Sequence, residues 1–206
     1  MRKILTELEA LELIDKNGQI FIGGTQEWYE DRWKKASGCG PVAASNIVWY
    51  MTRRHGGREQ YMEIMKEMFE FVTPGIRGVN SSSIFTEGFN RYAQKNNLLF
   101  THNILEVPKK HDARPGIDET REFIVSGVQN EAPVAFLNLS NGSLINLENW
   151  HWVTILAIDT DSMLVTISDY GKLTDIDISE WLKTSMLGGT FVYFMTNPAP
   201  RYMSTR

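Results

Sequence analysis

A chain of 206 residues, with 42% hydrophobic and 22% charged residues, has the size and composition of one globular domain. Its net charge of −4 argues against nucleic acid as the main partner. The single cysteine excludes an internal disulfide and a cysteine-rich zinc site, and we expect no metal and no cofactor.

The N-terminal part of the chain is predicted to be mainly helical. Apolar residues recur at helical spacing within residues 2–14, so residues 1–18 are expected to form a helical N-terminal arm on a single domain of residues 1–206. Asn17-Gly18 is a turn, and residues 19–22 predict a short strand. Further helices are predicted over residues 39–54, 61–72, 81–92 and 118–130.

The pattern changes near residue 133, where short runs of β-branched and aromatic residues begin. Turn signals such as Asn141-Gly142 separate them. Strands are predicted over residues 98–107, 133–139, 150–158, 163–168 and 190–195, and a short helical segment over 178–183. Helices first and strands last indicate an α+β fold, with N-terminal helices packed on a C-terminal antiparallel β-sheet.

Acidic residues interrupt the N-terminal segment where a signal peptide would be apolar. No apolar run reaches the length that spans a membrane. We therefore predict a cytoplasmic protein with no membrane partner.

The cysteine lies where a helix is predicted to begin. Gly38 and Gly40 give the backbone around Cys39 conformational freedom, and Pro41 suits the first helical turn. The partial positive charge at a helix N-terminus stabilises a thiolate. A lone cysteine is more often a small buried hydrophobic residue, so a catalytic role requires a base elsewhere in the chain.

Among the four histidines, His151 is the best candidate for that base. It opens the apolar run 150–159, and the start of a strand can hold an imidazole rigidly at the rim of a cleft. The next predicted strand ends in Asp169, and antiparallel neighbours joined by a short turn bring their opposite ends together. We therefore predict that Asp169 bonds the imidazole and fixes its tautomer. A half-exposed strand histidine and a turn aspartate are the plain alternatives.

Together these segments span residues 37–171 and resemble the papain-like cysteine peptidases. The likeness rests on Cys39-Gly40-Pro41 before an apolar helix, then a histidine that opens a strand, then an aspartate that ends the next strand. It is strongest to the bacteriocin-processing, double-glycine peptidase-like branch. The resemblance implies a papain-like fold, a bacterial thiol protease and a catalytic triad of Cys39, His151 and Asp169.

The resemblance also implies an oxyanion hole. Its donors would be the backbone N–H of Cys39 and a glutamine upstream of the cysteine. The upstream candidates are Gln19 and Gln26, of which Gln26 opens a segment that resembles the peptidase-like branch. Gln26 lies farther from the cysteine than its counterpart in papain, so the intervening loop must fold back to bring it within reach.

The expected function is hydrolysis of peptide or amide bonds through an acyl-enzyme, with a peptide or amide substrate as the partner. An acyl or aminoacyl transferase with the same triad, and a catalytically idle binding module, are the alternatives. Trp150 and Trp152 adjoin His151 and are candidates for substrate-binding cleft walls, or equally for core and turn positions.

The double-glycine branch cleaves after Gly-Gly, so Gly23-Gly24 could be a self-cleavage site. An ordinary turn is the favoured interpretation, because Asn17 and Gly18 stand where such leader peptides usually carry Leu and Glu.

Overall fold

Nine strands and six α-helices occur in residues 1–196, the part of the chain that the computed structural model describes. The strands are β1 (Arg2–Ile4), β2 (Glu12–Ile14), β3 (Ile20–Ile22), β4 (Phe100–Val107), β5 (Val134–Asn138), β6 (His151–Asp159), β7 (Leu164–Asp169), β8 (Lys172–Asp177) and β9 (Gly189–Thr196). The helices are α1 (Arg32–Ser37), α2 (Cys39–Met51), α3 (Arg58–Phe71), α4 (Ser82–Lys95), α5 (Ile117–Gln129) and α6 (Ile178–Thr184).

Seven strands form one sheet in the order β4-β9-β5-β6-β7-β8, with β1 also paired to β6, and all of these pairs are antiparallel. The strands β2 and β3 form a separate antiparallel pair. The predicted α+β class with an antiparallel sheet is confirmed at this level. No helix among residues 1–196 is both long and apolar enough to cross a membrane.

Helix α2 forms much of the packing behind the sheet. Residues 40–50 are all buried, and the helix packs against both α3 and β6. Alanine and apolar side chains dominate it, so it needs no polar face toward water. Its first residue, Cys39, remains partly exposed. Burial of the rest of the helix therefore holds the cysteine in a fixed position relative to β6.

Strand β6 is the central strand of the sheet and pairs with three other strands. Residues 151–155 pair with β5, residues 157–159 pair with β1, and β7 runs along its other edge. The pairing with β7 shifts register between Ile155 and Ala157. Since β6 begins where β7 ends, the first residue of β6 and the last residue of β7 lie at the same end of the sheet.

Helix α4 covers the sheet with aromatic side chains. The hydroxyl of Ser81 caps it by accepting a hydrogen bond from the backbone N–H of Ile84 at 3.3 Å. Phe85 stacks on Trp152 with ring centroids 4.2 Å apart. Apolar burial of this kind is the main source of stability in the fold.

Residues 2–14 do not form the predicted helix, and residues 1–18 are not a helical arm. They contain β1, a 3-10 turn over Leu8–Leu11, and β2. Leu13 is buried between exposed neighbours, which is the alternation of a strand rather than a helix. Residues 2–4 form a strand because they pair with residues 157–159. These partners are far away in the sequence, so a pattern read over neighbouring residues cannot reveal the pairing.

The remaining predicted elements are present, with bounds that differ by at most three residues. Neither α1 nor β8 is predicted from the sequence. The two apolar residues of β8, Leu173 and Ile176, lie three positions apart and do not show the period-two alternation of a strand. The predicted domain of residues 1–206 includes residues 197–206, which lie outside the described residues.

Candidate active site

The structure brings Cys39, His151 and Asp169 to one small pocket. The Nε2 atom of His151 lies 2.7 Å from Oδ1 of Asp169. Extending the β6–β7 register places Asp169 opposite Val153, so the histidine and the aspartate occupy diagonal positions on one face of the sheet. Cys39 lines the same pocket. The pocket thus contains a thiol together with an imidazole that is bonded to a carboxylate.

Two opposing effects set the pKa of His151. Burial disfavours the charged imidazolium and lowers the pKa, but the hydrogen bond to Asp169 and the interaction with Cys39 outweigh it and raise the pKa to about 10. The imidazole is therefore protonated at neutral pH. A buried imidazolium next to sulfur is the counter-ion that a thiolate nucleophile requires.

The backbone around Cys39 is packed too closely for side chains on either neighbouring residue. A Cβ on Gly38 would lie 2.6 Å from Cε2 of Tyr29, and one on Gly40 would lie 2.8 Å from Cβ of Val79. Gly38 has a φ of −83°, so conformational freedom is not the reason for glycine there, contrary to the expectation from sequence. Glycine is needed there because the backbone at the start of α2 lies in close contact with neighbouring residues.

The structure places Gln26 in the same pocket as the cysteine. The residue begins a 3-10 turn, and its Nε2 donates to the hydroxyl of Tyr170 at 3.5 Å. That bond uses one of the two amide N–H groups. The Oε1 atom is buried and has no hydrogen-bond partner within residues 1–196. An unpaired buried amide oxygen is costly, and an N–H or O–H group of a ligand in the pocket would complete its bonding by donating to Oε1.

A buried asparagine fixes the segment that carries this glutamine. Asn46 lies on α2, is 1% exposed, and accepts hydrogen bonds through Oδ1 from the Gly24 N–H at 2.9 Å and the Tyr61 hydroxyl at 2.5 Å. Its Nδ2 donates to Oγ1 of Thr154 at 3.0 Å. One side chain therefore connects the cysteine helix α2, the histidine strand β6 and the segment 23–26.

The Gly23-Gly24 pair makes that connection sterically feasible. Gly23 has a φ of +73°, and a Cβ there would lie 2.6 Å from Oδ1 of Asn46. A Cβ on Gly24 would lie 2.4 Å from Cε1 of Tyr61. Both glycines are buried, whereas cleavage requires an accessible bond. The fold itself accounts for this Gly-Gly pair.

Tyr170 covers the histidine from one side. Its ring stacks on that of His151 with centroids 5.5 Å apart, and its hydroxyl donates to Glu148 at 2.9 Å. Tyr170 has a φ of +47° and Trp150 a φ of +56°. A positive φ costs a residue other than glycine about 1–2 kcal/mol. Backbone strain therefore occurs directly beside both His151 and Asp169, as is common at functional sites.

Trp150 lines a groove on the other side of the cysteine. The groove has a volume of about 550 Å³, and its lining residues are Trp33, Ala36, Ser37, Cys39, Ile76, Arg77, Gly78 and Trp150. The pocket with His151 also includes Cys39, but its volume is only about 10 Å³, roughly that needed for one water molecule. A substrate side chain therefore has room in the groove and none in the pocket.

Trp152 is a core residue. It is 2% exposed, its Nε1 donates to the carbonyl of Val79 at 2.5 Å, and its ring lies against Phe85. Of the two tryptophans considered as cleft walls, Trp150 lines the groove. Trp152 lies in the core beneath the site, where it also lines the small pocket that contains Cys39 and His151.

Sequence reasoning missed several residues of this site. Asn46 lies at a helical position among apolar residues, and an amide at such a buried position is itself a signal for a polar network. Tyr170 lies directly before Gly171, and its place in a turn gives no sign that its ring stacks on His151. Ile76 and Arg77 lie in a turn far from the cysteine in sequence, and no local pattern connects them to it.

No group of three or more His, Cys, Asp or Glu side chains in the described part of the chain could hold a metal ion. Comparison with known proteins adds no family: no family model matches the chain, and no curated protein matches it. The function is therefore inferred from the chemistry of the site.

Proposed function

We propose that this protein is a cysteine hydrolase of peptide or amide bonds, with the papain-like arrangement that the sequence resembles. The 2.7 Å bond between His151 and Asp169, in the pocket that also contains Cys39, is the observation that supports it most strongly. The three residue types are those of a nucleophile, a base and an orienting group. The cytoplasm stays the predicted location.

Acylation would begin with attack of the Cys39 sulfur on the substrate carbonyl carbon. A C–S bond forms, and the carbonyl oxygen becomes an oxyanion that accepts hydrogen bonds from the Cys39 backbone N–H and the Gln26 amide. The C–N bond then breaks as the His151 imidazolium gives its proton to the departing nitrogen. The products of this stage are a free amine and a thioester on the cysteine.

Deacylation would use the neutral imidazole left by the first stage. His151 takes a proton from water while the water oxygen bonds to the thioester carbon. The C–S bond breaks, which releases a carboxylic acid and restores the thiolate and the imidazolium. Asp169 stays bonded to Nε2 throughout and leaves the other ring nitrogen for the proton transfers. The net reaction adds one water to one amide.

Peptide hydrolysis in H2-18O tests this proposal. A mixture of peptides from a digested protein is incubated with the parent or with Cys39→Ala, and new termini are identified by mass spectrometry. We expect the parent to produce new C-termini that carry 18O from the solvent, and Cys39→Ala to produce none. Absence of new termini with the folded parent, or equal cleavage by the variant, would refute the proposal.

A further inference from the structure

We infer that the groove beside Cys39 selects peptides in which an acidic residue neighbours an apolar residue, and that Arg77 binds the acidic side chain. The inference rests on the proposed function, since it treats this groove as the substrate cleft of the hydrolase. Substrate selection must occur here, because the pocket around His151 has a volume of only about 10 Å³.

A rigid turn presents Ile76 and Arg77 to the groove. Gly75 and Gly78 exchange both backbone hydrogen bonds, at 3.1 and 2.9 Å, so the two residues between them form the tip of a tight turn. Ile76 is 98% exposed, and Arg77 is also exposed. A doubly bonded turn loses little further backbone entropy when a ligand binds, which makes it suitable for recognition.

The apolar part of the groove consists of exposed side chains that lie together. Trp33 and Trp150 are each 48% exposed, and with Ile76 they line one cavity. Single exposed apolar residues are common, but a cluster around one concave surface indicates a binding site. Trp150 reaches this position at the cost of a positive φ. The cluster therefore provides a surface for an apolar side chain of the substrate.

Arg77 gives the groove its charge. Among the described residues 1–196, it is the one basic residue that lines the groove, and no acidic residue among them lines it. Within residues 1–196, no carboxylate forms an ion pair with Arg77, whereas Arg53 and Arg121 pair with Glu7 and Asp118. The nearby N-terminus of α2 has the same sign of charge. A guanidinium in this condition favours a substrate carboxylate, which it can bind through two parallel hydrogen bonds.

Affinity labels that differ in one charge test the inference. The first pair is chloroacetyl-Leu-Glu-amide and chloroacetyl-Leu-Gln-amide. The second pair has the opposite chain direction and consists of acetyl-Glu-Leu-Gly and acetyl-Gln-Leu-Gly chloromethyl ketones. In each case the Cys39 sulfur displaces chloride and forms a thioether. The second-order rate constant for loss of free thiol is measured for all four.

We expect the Glu label of at least one pair to react about tenfold faster than its Gln counterpart, as one charge-assisted hydrogen bond allows. Arg77→Gln should abolish this preference by slowing the Glu label about tenfold relative to the Gln label. Arg54→Gln makes the same charge change beyond the far end of α2 and should keep the preference. High salt should reduce the preference in the parent.

Equal rates within both pairs for the parent, or a Glu preference that survives Arg77→Gln, would overturn the inference. These outcomes are separate from failure of the proposed function. If the proposed function fails, labelling of Cys39 by iodoacetamide at pH 6 will be as slow in the parent as in His151→Ala. If labelling in the parent is fast and depends on His151, but the Glu and Gln labels react at the same rate, then only the inferred selectivity for acidic residues is wrong.

Discussion

Replacement of Asn46 by alanine should damage the active site as well as the stability of the fold. The change leaves the Gly24 N–H and the Thr154 hydroxyl without their partner in the core, and leaves Tyr61 with only a long contact of 3.4 Å to the carbonyl of Val42. Each buried polar group that loses its partner costs about 1–3 kcal/mol. We therefore expect the free energy of unfolding to fall by about 2–5 kcal/mol, measured by urea denaturation.

The site-specific part of this prediction is measured with a peptide aldehyde. In the proposed mechanism the Cys39 sulfur adds reversibly to the aldehyde carbon, and the Gln26 side chain donates a hydrogen bond to the resulting oxyanion. We expect Asn46→Ala to bind the aldehyde at least tenfold more weakly under conditions where it remains folded. Ile124→Ala is the matched control, because Ile124 is fully buried on α5 and its truncation also costs about 2–5 kcal/mol. Normal aldehyde affinity in folded Asn46→Ala, or an equal loss in Ile124→Ala, would refute the reasoning.

Three further predictions concern the proposed catalytic and oxyanion-hole residues. Asp169→Asn should retain part of the hydrolytic rate, because an amide oxygen can still orient the imidazole, whereas Asp169→Ala should lose more; equal rates for the alanine variant and the parent would remove Asp169 from the site. Gln26→Ala should weaken aldehyde binding by about 10²-fold while iodoacetamide labels Cys39 at the parental rate, and unchanged aldehyde affinity would exclude Gln26 from the oxyanion hole. The pKa of His151 is about 10 in the folded protein and about 6.5 when unfolded, so the stabilisation from its proton is complete below pH 6.5 and is lost as the pH rises to 10. Urea denaturation should therefore show the stability of the parent falling relative to His151→Ala across that interval, by up to about 1.4 kcal/mol per pH unit, and parallel curves would contradict it.

Local patterns were sufficient to predict the elements that carry the candidate triad. Pro41 and the run of small and apolar residues after it mark the start of α2, and β-branched residues mark β6 and β7. The turn at 159–162 then makes β6 and β7 antiparallel neighbours, which brings their opposite ends together. The proximity of His151 and Asp169 could therefore be deduced from residues close in sequence.

Features that depend on distant contacts could not be predicted in this way. Strand β1 forms because its backbone can pair with that of β6. The apolar residues in and after β1 are also spaced as in a helix, so the sequence pattern alone does not distinguish a strand from a helix. Trp150 and Trp152 are the same residue type, and both flank His151 in the sequence. Trp150 has a positive φ and lies at the groove, whereas Trp152 packs against Phe85 in the core, and neither feature can be read from the sequence. The turn that carries Arg77 lies near Cys39 only because of the tertiary fold, since the two are far apart in the sequence.

The central claim is that Cys39 and His151 form a catalytic pair, and the pH dependence of thiol alkylation tests it most directly. We expect iodoacetamide to label Cys39 readily at pH 6 in the parent, because the proposed mechanism places a protonated imidazole in the same pocket and an imidazolium favours thiolate over thiol. In His151→Ala the rate at pH 6 should fall sharply and recover only as the pH approaches about 8.5, where an ordinary cysteine ionises. Alanine variants of the other three histidines, His55, His102 and His111, should label like the parent. Resistance of the folded parent at pH 6, or identical rates in His151→Ala, would contradict the claim.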